Sequence, residues 1–153
     1  MGIEKQIDIL IKGRLLMLKL IEGKSLEQIN TIPEGFNNSI GWNVGHLVVT
    51  QQLLCYKLSG LEALISEEMI AKYRKGTKPT GLIAQEEWGL IKKLFVELPN
   101  KLNLDYSKGL FKIYNNYETS VHVNIDSIDK AIDFNNFHEG IHLGVLLALK
   151  RLV

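Results

Sequence analysis

Apolar side chains recur every three or four residues in four separate stretches of this chain. That spacing confines it to amphipathic helices packed by their apolar stripes. Ile3, Ile7, Leu10, Ile11, Leu18 and Ile21 form the first stripe, and Gly23 is a helix stop. A loop marked by Pro33, Gly35 and Asn37-Asn38 follows. Ser39 is the N-cap expected for a second helix reaching Ser59-Gly60, with Trp42, His46, Val49, Leu53 and Tyr56 along one side. A third helix is expected from near Thr80 to about Leu98, burying Trp88, Ile91, Leu94, Phe95 and Leu98, with Pro99 ending or kinking it. The fourth is expected from Asp126 or Ser127 to the C-terminus. Asp126 and Asp129 are spaced like a capping pair, and Lys150 and Arg151 lie where the helix dipole favours cations. The expected fold is therefore all-α, a four-helix bundle.

Two intervening segments read differently. Residues 61–80 suggest a short helix and then a basic loop, Lys72 to Lys78, expected to be a solvated turn. In residues 101–125, Leu110–Tyr114 and Val121–Val123 alternate in a strand-like way, so both two short strands and an irregular excursion fit.

The 153 residues suit one domain, 1–153, with 46% hydrophobic residues to fill a core. A net charge of +1 gives no footprint for nucleic acid or an anionic membrane. A single cysteine, Cys55, excludes an internal disulfide and suits a reducing compartment. The N-terminal apolar run is broken by Lys12, Arg14 and Lys19 and does not read as a signal peptide, and the uncharged stretch 35–56 is too polar for a membrane span. A cytoplasmic location is expected.

The chemistry concentrates in histidine. His138 and His142, in His138-Glu139-Gly140-Ile141-His142, lie one turn apart on one helical face together with Ala131, Phe134, Val145 and Leu149. His46 lies between Trp42 and Val49 on the inward side of the second helix. A lone histidine on an apolar face is usually a satisfied core residue. Three inward imidazoles are another matter, since each buried unpartnered polar group costs about 1–3 kcal/mol. Coordination of one metal ion satisfies all three. His122, in the irregular segment, is read as surface or supporting.

The pentapeptide also matches H-E-x-x-H, the zinc-protease motif in which the glutamate activates water. That motif takes its third ligand from downstream, and residues 143–153 contain no His, Asp or Glu. The protease reading therefore fails, and His46 is the best-placed third ligand. Glu139 is left as a candidate catalytic base or, as the favoured alternative, a carboxylate on the helix surface.

The segments Gly41-Trp42-Asn43-Val44-Gly45-His46-Leu47 and His138-Glu139-Gly140-Ile141-His142-Leu143-Gly144 resemble the DinB-like superfamily, and the likeness extends over nearly the whole chain. The resemblance implies an up-down-down-up four-helix bundle, frequent homodimerisation, and a metal triad of one histidine on the second helix and two on the last: here His46, His138 and His142. It implies zinc, nickel or a similar divalent ion, and no DNA binding. Some relatives are enzymes dependent on low-molecular-weight thiols, including bacillithiol S-transferases and mycothiol-dependent maleylpyruvate isomerase.

Three functions are compatible with these residues. One is a metal-dependent S-transferase acting on a low-molecular-weight thiol and a small-molecule substrate, with Trp42 and Tyr56 either lining its cavity or, as their stripe favours, filling the core. The second is a metal-dependent hydrolase with Glu139 as base. The third is a non-catalytic metal or small-ligand binding protein. Three ligands leave an ion open to exchange, whereas a structural site is ordinarily closed by four.

Overall fold

The structure, a computed structural model, describes residues 2–153. Four long helices, α1 (Ile3–Leu20), α3 (Ile40–Cys55), α5 (Gln85–Ser107) and α6 (Ile128–Leu152), carry the fold. Two short ones, α2 (Leu26–Asn30) and α4 (Glu67–Tyr73), cover one end of α3. The long helices pack in a ring: α1 and α3 each contact both α5 and α6. No described helix is long and apolar enough to cross a membrane.

Helix α3 begins as expected, with Ser39 Oγ accepting the Trp42 N–H at 3.2 Å. It ends at Cys55, and a 3₁₀ turn over Lys57–Ser59 carries the chain to Gly60, left-handed at φ 70°. Its burial is not a stripe. Nearly every residue from Ile40 to Cys55 is buried, because α2, α4, α5 and α6 surround it.

Several boundaries depart from the sequence expectation. Helix α5 starts at Gln85 rather than Thr80, and it runs through Pro99 for two further turns. Proline lacks the N–H that would bond the Phe95 carbonyl. That carbonyl accepts instead from Arg14 Nη1 at 3.1 Å, so the orphan is satisfied by a neighbouring helix. Leu110–Tyr114 forms no strand, and the only ladder among the described residues pairs β1 (Tyr117–Glu118) antiparallel with β2 (Asn124–Ile125). At the start of α6 the cap is Ser127, whose Oγ accepts the Lys130 N–H, while Asp126 binds the Lys130 ammonium at 2.6 Å.

The inward face of α6 is also displaced from the expected stripe. Its buried residues are Ala131, Ile132, Asn135, Glu139, Leu146 and Leu149, so Glu139, not a histidine, lies near the centre. Phe134, His138, His142 and Val145 are half-buried along its flank. The surface placement of Glu139 is thereby overturned: the residue is 4% exposed and faces Arg14 of α1.

Candidate metal centre

His46, His138 and His142 converge where α3 meets α6. One ligand nitrogen from each ring lies within 4.8 Å of the others. His46 Nε2 and His138 Nε2 are 3.3 Å apart. Two nitrogens each 2.0–2.1 Å from a tetrahedral ion would be separated by about 3.3 Å, so this pair already has the spacing a metal requires.

The outer nitrogens show how the rings are held. His46 Nδ1–H donates to the Tyr73 carbonyl at 2.8 Å, and His142 Nδ1–H to Asn43 Oδ1 at 2.7 Å. Both bonds leave Nε2 unprotonated and directed inward, the usual arrangement behind a histidine ligand. The Asn43 amide is itself oriented, since its Nδ2 donates to Asn38 Oδ1 and to the Ser39 carbonyl. Trp42 stacks flat on His46, with centroids 4.8 Å apart and planes at 9°. A Cβ on Gly45 would lie 2.7 Å from the Tyr73 ring, so glycine there lets α4 approach closely enough for its last carbonyl to reach His46. His138 Nδ1 has no protein partner.

The local electrostatics keep the imidazoles neutral. Burial lowers the His46 pKa, against the Tyr73 hydrogen bond that raises it, and Lys75 lowers it further. Burial, then the charges of His142, His46 and Lys75, brings His138 from 6.5 down to about 3. Burial and His46 bring His142 down to about 4. Neutral imidazole is the form with a lone pair for a metal. The donor set, its spacing and its tethered outer nitrogens fit a divalent ion.

The remaining candidates fall outside this cluster. His122 is exposed and pairs with Glu118 at 2.8 Å. Tyr56 is core, its hydroxyl donating to Asp105. Glu139 is engaged on both carboxylate oxygens: Arg14 Nη2 and Nε donate to Oε1 at 2.6 and 2.9 Å, Nε also reaches Oε2, and Asn135 donates to Oε1. Burial pushes its pKa up, while Arg14 and Asn135 pull it down. Asn43, Gly45 and the Tyr73 carbonyl were not singled out from the sequence. Asn43 sits one turn before His46, the one local signal that could have marked it.

The three imidazoles open onto a cavity of about 450 Å³. Leu53, Leu54, Leu58 and Phe134 wall it, and Thr50, Tyr117, Thr119 and Ser120 add hydroxyls. Thr50 Oγ1 lies 3.3 Å from His46 Nε2. Lys57 and Lys75 also line the cavity; Lys72 belongs to α4, and the turn after it is exposed, with Lys75 the one cation of Lys72–Lys78 that reaches the lining.

Fold and site together define a helical protein with a three-histidine centre, compatible with metal binding, facing a ligand-sized cavity. The family model of the DinB superfamily matches residues 10–146, and the chain belongs to that superfamily. A search of curated proteins finds no match.

Proposed function

We propose that this protein is a metal-dependent S-transferase, with His46, His138 and His142 holding a divalent ion, zinc or nickel, beside a low-molecular-weight thiol and a small-molecule electrophile. The observation that carries this reading is the opening of three inward Nε2 faces onto the cavity. No fourth His, Cys, Asp or Glu joins the cluster among the described residues, which supports an exchangeable site over a closed structural one. A divalent ion there supplies Lewis acidity, which favours the thiolate form of a thiol at neutral pH.

The chain's own residues orient and exclude. Asn43 and Tyr73 fix two rings, and Trp42 covers one face of His46. The apolar wall limits water around the reacting sulfur. Thr50 is placed to hold a proton at Oγ1 beside His46 Nε2. Hydrolysis is the weaker reading, because its base candidate, Glu139, is occupied by Arg14 and Asn135. Thiol transfer needs no such base.

Further features of the family reading are supported in kind. Contacts of Gln6 with Asn136 and of Arg14 with Glu139 run in the same sense along α1 and α6, which supports an up-down-down-up bundle. Exposed Ile9, Leu16, Phe137 and Ile141, with exposed Gly144 and Ala148, give α1 and α6 an apolar outer face suited to a homodimer. A reducing cytoplasm suits a thiol-dependent activity.

Protein purified without chelator or histidine tag should contain about one divalent ion per chain. With bacillithiol it should consume a haloarene, and its cobalt form should change spectrum when thiol is added. Stoichiometric metal with no turnover across several thiols, and an inert cobalt spectrum, would reject the transferase.

A further inference from the structure

The cavity over the imidazoles has a one-sided charge. The chain carries 18 basic and 17 acidic residues, yet two lysines and no carboxylate line this cavity. The two lysines are not equivalent. Lys57 Nζ is bound by Glu67 at 3.0 Å, which offsets its charge. Lys75 makes no ion pair among the described residues. It also stands close enough to His46 and His138 to act on both rings. Much of the remaining lining is hydrocarbon, with Leu53 and Leu54 two turns along α3 from His46, and Phe134 one turn before His138 on α6.

Neutral imidazoles leave the charge of a bound divalent ion uncompensated, and Lys75 adds another positive charge. A cavity with positive potential and a largely apolar lining complements one kind of guest. We infer that the cavity takes an organic anion with an apolar body, its carboxylate-type head group set against Lys75 and its aryl or alkyl part against Leu53, Leu54 and Phe134. This rests on the same cavity being the substrate site, and it names the substrate class. A lone ammonium suits such a role because it is a mobile point charge that accepts head groups of varied geometry.

The test compares 4-phenylbutyrate with 4-phenylbutanol, matched in body and different in charge, by titration calorimetry on full-length protein at neutral pH. The anion should bind about tenfold more tightly, and added salt should erode the difference. Lys75→Met, at an exposed position, should abolish the preference, and Lys57→Met should change it less than twofold. The preference should persist after chelation. Equal binding of the two probes, or binding of neither, overturns the proposal. So does a preference that survives Lys75→Met but vanishes on chelation, since the head group would then be read by the metal. An anion preference lost in Lys75→Met, in protein that turns over no thiol, would keep this inference and reject the transferase reading. Thiol turnover without any anion preference would do the reverse.

Discussion

His138 and Glu139 are neighbours in sequence and face two polar clusters of opposite character. The Glu139 cluster is closed. Arg14 is 1% exposed at its side chain and spends its donors on Glu139, the Phe95 carbonyl and the Leu47 carbonyl, while its guanidinium lies 4.5 Å from the Phe95 ring centroid. The His138 cluster is open. Two outer nitrogens are tethered, and the inner nitrogens face each other and a cavity. A saturated cluster holds α1, α3, α5 and α6 together, and an unsaturated one stays ready for a ligand. The saturated cluster also grips α3 and α6 one residue beyond His46 and His138, so the closed region supports the open one.

The contrast breaks most visibly on the closed side. Glu139→Ala would leave the Arg14 charge buried and unpaired and should cost about 3–5 kcal/mol by denaturant unfolding. The double variant Arg14→Met with Glu139→Leu should recover part of that loss, the Phe95 carbonyl being left without its donor. A single-variant cost below about 1 kcal/mol would show that the cluster is not closed. On the open side, His46→Ala or His142→Ala should abolish stoichiometric metal. The stabilisation gained from added ion, about 2.7 kcal/mol at a hundredfold excess over Kd, should vanish with it in thermal unfolding. Asn43→Leu should keep the three ligands yet weaken metal affinity about 10- to 100-fold in a competition titration, because His142 loses its tether.

The smallest effect concerns pH and the metal-free protein. His138 and His142 titrate at about 3 and about 4 when folded, against 6.5 ordinarily. As pH falls below 6.5 the unfolded imidazoles bind protons that the folded ones refuse, so stability falls through that window and levels off below the folded values. The difference in melting temperature between wild type and His138→Gln should therefore shift in favour of the variant between pH 7 and pH 4. A constant difference would mean the rings are not desolvated.

The long helices were legible because periodicity is a local property, and so was the Ser39 cap. The i,i+4 histidines and inward His46 carried the centre for the same reason: each ring's face follows from its own helix. What was hidden depends on partners remote in sequence. Nothing near Glu139 reveals that Arg14, 125 residues away, comes to meet it. Lys75 looks like one of several loop cations until the turn after α4 brings it to the cavity. The Leu110–Tyr114 alternation was misleading because the segment is tied at its two ends to other elements: Leu110 N–H donates to the Asp105 carbonyl of α5, and Asn115 N–H, just past the segment, donates to the Leu58 carbonyl in the 3₁₀ turn after α3.

Pro99 gives the assembly a sense of alignment. Along most of α5 the backbone carbonyls are matched by their own helix, so one turn resembles the next to anything sliding past. The missing N–H singles out the Phe95 carbonyl as a notch, and Arg14 is the key that fits it. A slip of α1 by one turn would leave the notch empty and the key in hydrocarbon. A residue that weakens its own helix thus indexes how two helices meet, and through Arg14 it indexes α6, where the histidines begin.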